Sequence, residues 1–266
     1  LTFLDPACGS GNFLTETYIS LRKLENKVLF ELQKGQIKIG AVTNPIQVSI
    51  RQFYGIEIND FAVTVAKTAL WIAESQMMKQ TEDIVHMNLD FLPLKTYANI
   101  VEANALRIDW ETVIPKEKLN YIMGNPPFVG FTYMNKEQKD DMARIFPKVK
   151  NLDFVCAWYK QASDYIQNTD IACAFVSTNS ICQGETVGAF HKFLNIYINF
   201  AHKTFRWDSE ASLKAHVHCV IIGFAAFNKT NKLLFNNDRK LIVKNINAYL
   251  CDAPNIIIES RNKPLC

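Results

Sequence analysis

Leu1-Thr2-Phe3-Leu4-Asp5-Pro6-Ala7-Cys8-Gly9-Ser10-Gly11-Asn12-Phe13 opens the chain. Its first five residues read as a strand ending in an acid, Pro6 to Gly11 as a turn, and a helix is expected from about Asn12. Leu14, Tyr18, Leu21, Leu24 and Val28 recur at intervals of three and four and are expected to form one apolar helical face. Strand, glycine turn and helix make a βα unit, the element from which open α/β sheets are wound. Ligands of such sheets sit outside the carboxyl ends of the strands. Gly9 and Gly11 carry no Cβ and would let a ligand approach the backbone. The dinucleotide fingerprint is not met, because its third glycine position is Leu14.

Working outward, Asp5 would oppose a cation better than a pyrophosphate. The methionyl end of S-adenosylmethionine carries such a cation; a tight turn without a ligand is the plain alternative. Gln33 to Pro45 reads as a connector, and Gln52 to Ile56 as the second strand. Glu57 ends it, and Asn59 and Asp60 are placed to cap a helix bearing Val65, Ala69, Ile72 and Ala73 on one side. An acid at the end of the second strand is where nucleotide-binding α/β folds hold ribose hydroxyls. A third strand, Asn99 to Ala103, ends at Asn104, whose amide could meet an adenine edge. Asp109 is a rival, and either could be a turn residue.

The fourth strand, Leu119 to Gly124, runs into Asn125-Pro126-Pro127-Phe128. Two prolines fix an extended backbone course. They present an amide side chain, a bare carbonyl and an aromatic face together. An exocyclic amino group on a planar heterocycle fits this set: it donates to the Asn125 oxygen and the Pro126 carbonyl, and Phe128 covers the ring. An Asn-Pro turn capping a strand is the plain alternative.

The chain has 266 residues, 48% hydrophobic and 21% charged, with net charge +3. This composition allows one large α/β domain or two small ones. The mild positive charge is compatible with a polyanionic partner without requiring one. Seven scattered cysteines include no Cys-x-x-Cys, so neither a zinc site nor a disulfide framework is indicated. Most read as small buried hydrophobes in a reducing cytoplasm. No signal peptide and no membrane-spanning run is expected. The chain begins inside a strand and ends in a polar stretch, Glu259 to Cys266, and is read as one domain of a longer protein.

The set Asp5-Pro6-Ala7-Cys8-Gly9-Ser10-Gly11-Asn12-Phe13, Glu57, Asn104 and Asn125-Pro126-Pro127-Phe128, in this order, resembles the gamma-class amino-methyltransferases of DNA. Leu152 to Tyr159 and Ile171 to Ile181 look like the family's next helix and fifth strand. Gln183-Gly184-Glu185 and Lys203-Thr204-Phe205-Arg206-Trp207 are similar to the methyltransferase part of type IIG, MmeI-like, restriction-modification proteins. The resemblance implies a Rossmann-like α/β fold of the class I S-adenosylmethionine-dependent methyltransferases. Its sheet would be mostly parallel with an antiparallel last strand and helices on both faces. Residues 1–250 would be the catalytic domain and 251–266 the start of a linker towards a target-recognition domain; a nuclease domain would belong to the same full-length chain.

The resemblance also implies roles. Asp5, Ala7, Gly9, Gly11 and Phe13 would line the methionine side of the cofactor. Glu57 with Ile58 would bind its ribose, and Asn104 with Ala105 its adenine, although many relatives have Asp at the position of Asn104. Asn125 would border the cofactor as well as the target. Asn125, Pro126, Pro127 and Phe128 would act on the N6 amino group of an adenine flipped out of double-stranded DNA. Phe205, or else Trp207, would stack on that base. No metal is implied. RNA, protein glutamine or cytosine N4 as the acceptor, and a catalytically silent DNA-binding scaffold, are the alternatives.

In the remaining third, Phe154, Val155, Trp158, Ala162, Tyr165 and Ile166 make an apolar helical face with Asp153 at its amino end. Lys136, Lys139, Arg144, Lys148 and Lys150 read as a solvated helix or as phosphate contacts. Asn199 to Phe205 and Val217 to Phe227 read as the antiparallel pair that ends the sheet. Leu241 to Val243 and Ile256 to Ile258 are expected as further strands. His216 and His218 read as structural.

Overall fold

The computed structural model describes residues 1–33, 45–85, 99–149, 151–207, 217–237 and 239–258. The chain forms two compact units, Leu1–Ile114 and Pro115–Cys266.

The first unit is β1 (Phe3–Asp5), α1 (Asn12–Gln33), β2 (Phe53–Glu57), α2 (Asp60–Val85) and β3 (Asn99–Glu102). β2 lies in the middle, parallel to both neighbours, with Phe3 opposite Phe53 and Tyr54 opposite Asn99. Two successive parallel crossovers stepping in one direction place both helices on one face of the strands. The helices meet there: Arg22 of α1 donates to the Thr81 hydroxyl of α2 at 2.6 Å, and that hydroxyl donates to Asn26 Oδ1 at 2.8 Å. Arg22 also pairs with Glu25.

This polar contact corrects both expected helix faces. Leu14 and Tyr18 are buried, but Leu24 and Val28 are exposed. The inward row of α1 continues through Arg22 and Asn26. On α2 the inward row is Val63, Ala66, Leu70, Ala73 and Met77, while Ile72 is exposed. Buried polar residues that satisfy one another look like surface residues in a pattern of hydrophobicity, which rotates the apparent face.

The second unit contains β4 (Tyr121–Gly124), α3 (Lys136–Ile145), α4 (Cys156–Tyr165), β5 (Ala172–Thr178), α5 (Gly184–His191), β6 (Tyr197–Trp207), β7 (Val217–Ala225), β8 (Lys232–Asn236) and β9 (Arg239–Val243). Its strand order is β4-β5-β7-β6-β8-β9. β4 and β5 are parallel, and β7 runs antiparallel to β5 and β6. The expected antiparallel pair is present but does not end the sheet: β8 lies parallel to β6, and β9 antiparallel to β8. Ile256 to Ile258 form no strand. Amide side chains hold the segment before them instead, Asn245 donating to the Ala253 carbonyl at 2.6 Å and Asn247 to that of Pro254 at 3.3 Å.

Tyr159 of α4 anchors the core of this unit. Its ring lies 5.2 Å from Phe224, 5.3 Å from Phe175 and 5.8 Å from Phe190, and its hydroxyl bonds Ser177 Oγ at 2.6 Å. Aromatic contacts with a satisfied hydroxyl fix one packing arrangement. Cys8, Cys156, Cys173, Cys182 and Cys219 are buried free thiols, and Cys251 is exposed. Among the described residues no helix is long and apolar enough to cross a membrane. Most of the expected connector, Lys150, His216 and the tail from Glu259 lie outside the described residues.

Candidate active site

In the first unit the glycine turn is closed by its own backbone and by two carboxylates. The Gly11 N–H donates to the Cys8 carbonyl at 2.8 Å, and the Cys8 N–H to the Ile56 carbonyl at 3.1 Å. Asp5 accepts from the Ala7 N–H at 3.0 Å. Glu57 accepts from the Gly9 N–H at 2.9 Å through Oε2 and from the Asn59 N–H at 3.0 Å through Oε1. Gly9 and Gly11 both have positive φ, 52° and 82°. Among the described residues a Cβ on Gly9 would meet nothing within 4 Å, so they leave the turn open above it. A Cβ on Gly11 would lie 2.9 Å from Ala66 Cβ. The missing Cβ of Gly11 thus also makes room for α2.

Asp5 is buried, and desolvation raises its pKa to about 7, with the Ala7 N–H opposing and the Glu57 charge adding to the rise. Burial also pushes the Cys8 thiol up, so it is held protonated beneath the turn. Phe13 is half-buried at the start of α1, and Ile58 is exposed. Asn59 caps α2 as expected, accepting from the Ala62 N–H at 3.0 Å.

Asn104 does act as a turn residue, accepting from the Leu106 N–H at 2.9 Å through Oδ1. Ala105 is buried, and its carbonyl accepts from the Trp110 indole at 2.8 Å. The rival Asp109 accepts from the Glu111 N–H at 3.0 Å and starts a short 3-10 turn.

In the second unit, β4 delivers Asn125 at its carboxyl end. Asn125 and Pro127 are exposed, Pro126 is buried and Phe128 is half-buried. The tetrapeptide is held from outside. Asp153 accepts through one oxygen from the N–H of Val129 at 3.2 Å and that of Val155 at 3.1 Å. Its other oxygen faces the Thr178 hydroxyl at 3.5 Å. The Phe154 N–H donates back to the Val129 carbonyl at 2.9 Å. Burial raises the pKa of Asp153, and these hydrogen bonds oppose the rise. Asp153, read from the sequence at the amino end of a helix, holds the loop after Asn125 across 24 residues.

Strand register brings Phe205 to the same rim. Gly124 pairs with Phe175, while Thr178, three residues beyond, pairs with Cys219, and Cys219 with Phe205. The Phe205 ring meets His202 edge-on at 5.1 Å, beside a bulge in β6. Trp207 ends β6, and its side chain lies outside the described residues. Lys136, Lys139 and Arg144 lie on α3, with Arg144 paired to Asp141 at 3.2 Å. His218 is exposed on β7.

Four similarities bear on this arrangement. Residues 1–236 match the MmeI DNA-methyltransferase domain. The whole chain is 45% identical to part of DNA methyltransferase A of Bacillus subtilis (strain 168), covering 31% of that protein. Among solved structures it is 44% identical to the type IIL restriction-modification enzyme MmeI in complex with DNA, with a TM-score of 0.94 over all of this chain and 37% of that one. The type IIG restriction endonuclease BpuSI shares the fold at 13% identity, with a TM-score of 0.58 over 88% of this chain and 23% of its own. The expected Rossmann-like methyltransferase fold is thus borne out, and the chain spans about a third of the curated relative it matches. A match over most of its length and the high identity to MmeI assign the family: this chain belongs to the MmeI DNA-methyltransferase domain family.

Proposed function

We propose that this domain transfers a methyl group from S-adenosylmethionine to the N6 amino group of an adenine flipped out of double-stranded DNA, as part of a restriction-modification protein. The observation that carries this reading is the stiff Asn125-Pro126-Pro127-Phe128 at the end of β4, with the Asn125 side chain exposed and the loop pinned by Asp153. The relatives support the substrate: one is a DNA methyltransferase, and MmeI was solved with DNA.

The first unit fits the cofactor. Asp5 is a buried carboxyl that a cation would ionise, Gly9 leaves open space over the turn, and Glu57 keeps lone pairs for ribose hydroxyls. Ala7, Gly11, Phe13 and Ile58 complete the methionine and ribose sides in this reading, and Asn104 and Ala105 the adenine side. When bound, S-adenosylmethionine supplies a methyl group already activated by its sulfonium.

The protein's task is then position and electrostatics. An exocyclic amine is a weak nucleophile because its lone pair is delocalised into the ring. The Asn125 oxygen and the Pro126 carbonyl accept its two protons and favour a pyramidal nitrogen with a directed lone pair. Phe128 and Phe205, with Trp207 as a further candidate, stack on the base and offset an unstacking cost of a few kcal/mol. The methylated amine sheds its extra proton to solvent, so no strong general base is needed. Buried free thiols suit a reducing cytoplasm. Nuclease and target-recognition domains are proposed for the same polypeptide.

The test is label transfer from radioactive cofactor by the full-length protein. N6-methyladenine in digested duplex DNA is the expected product. Label on cytosine N4, RNA or protein would reassign the substrate. Cofactor that fails to bind an intact chain would leave the silent scaffold.

A further inference from the structure

The second unit has a cavity on the rim opposite Asn125. Tyr121 starts β4 and pairs with Ala172, Ala172 with Ala225, and Ala225 with Tyr197. Tyr197 lines this cavity of about 160 Å³ together with His191, Lys232, Asn245, Ile246 and Ile257.

Its chemistry is lopsided. Lys232 is 1% exposed, and its ammonium lies 5.8 Å from the centre of the Tyr197 ring. No ion pair of Lys232 is found among the described residues. A buried ammonium without a counter-ion is costly, and burial accordingly lowers its pKa. His191 lines the same space; burial lowers its pKa to about 4, so the imidazole is neutral near pH 7. Its Nε2 is buried with no hydrogen-bond partner among the described residues. The Asn245 amide cannot serve as freely, since it already donates to the Ala253 carbonyl and to Asn255 Oδ1 at 2.6 and 2.9 Å. The site therefore offers a cation and an imidazole nitrogen against isoleucine walls, and no anion faces them among its described lining residues.

We propose that this cavity binds the carboxylate of a compact apolar acid, with Lys232 as counter-ion and the His191 Nε2–H as second donor. The size sets the limit, since an engineered cavity of about 150 Å³ holds benzene. A benzoate-sized acid fits, and so does a single Asp or Glu side chain from elsewhere in the full-length polypeptide. The shared chemistry is the carboxylate.

The experiment uses full-length protein, benzoate and its neutral counterpart benzamide, read by calorimetry and by a crystal structure grown with benzoate. Lys232→Met keeps the length and apolar stem of the side chain, and such a replacement of a buried charge is tolerated. Benzoate should bind and benzamide should not. Lys232→Met should raise the benzoate Kd about 10-fold or more, as expected for loss of one charge-assisted hydrogen bond, with methyl transfer unchanged. If benzoate is excluded because an Asp or Glu carboxylate of the same polypeptide sits on Lys232 Nζ, the source is internal and the chemistry stands. Equal binding to Lys232→Met, or a structure with no carboxylate on Nζ, overturns the proposal and leaves the methyltransferase reading untouched.

Discussion

Two turns carry the proposed chemistry, and they are made rigid differently. Between Asp5 and Asn12 the chain passes through two glycines of positive φ, and carboxylates from β1 and the end of β2 bind its amide hydrogens. Between Asn125 and Gly130 the stiffness is covalent, in two prolines, and Asp153 adds one remote clamp on Val129. The first turn is an inward-facing nest of donors and acids suited to a charged ligand. The second turns its amide outward, towards whatever approaches the rim. The proposed cation would meet a buried carboxyl, Asp5, beside the half-buried Glu57; the proposed neutral amine needs only fixed acceptors.

Substitutions can separate the two. Asn125→Ala should leave cofactor affinity intact and lower the single-turnover methylation rate on the order of 100-fold or more, as for loss of one transition-state partner. Calorimetry and rapid quench read the two halves; a matching loss of cofactor affinity would erase the distinction between the turns. Glu57→Ala should do the reverse. Cofactor Kd should rise about 10-fold or more, since the turn loses an acceptor on Gly9 and the proposed ribose contact. Unchanged affinity would remove Glu57 from the cofactor site.

Asp153→Ala should lower the methylation rate about 10-fold by loosening the loop after Asn125, with cofactor Kd unchanged. Asp153→Asn keeps an acceptor for the Val129 and Val155 N–H groups and should restore most of that rate. Equal damage in both variants would mean that the charge, not the clamp, matters.

The smallest effect is a proton. The folded pKa of Asp5 is raised from 3.8 to about 7. Its contribution to stability is therefore fully present below pH 3.8 and is lost as pH rises through about 7. A bound cation reverses the shift, so cofactor binding at about pH 6 should release close to one proton, and almost none at about pH 9. Calorimetry in buffers of different ionisation enthalpy measures it, and Asp5→Asn should abolish the release. A pH-independent count would place the cation elsewhere.

Much of this was legible in the sequence because backbone demands leave marks. Gly9 and Gly11 mark positive φ, the paired prolines mark a stiff exit from β4, and Glu57 and Asn59 mark a strand end and a helix start. What stayed hidden depends on partners remote in sequence. Arg22, Asn26 and Thr81 are buried because they satisfy one another across two helices, so the hydrophobic pattern pointed to the exposed Leu24 and Val28. Asp153 reads as a helix cap until Val129 is seen beside it. β8 is too short and too mixed, with a buried lysine at its start, to stand out as a strand. For Asn104 the turn role is plain, its Oδ1 accepting from the Leu106 N–H.

The central claim is that the Asn125 oxygen and the Pro126 carbonyl together hold the target amine. A crystal structure of the full-length protein with duplex DNA and an unreactive cofactor analogue measures this directly. The expected result is an extruded adenine whose N6 lies about 3 Å from both oxygens. An adenine left stacked in the duplex, or an extruded base whose amine meets neither oxygen, would contradict it.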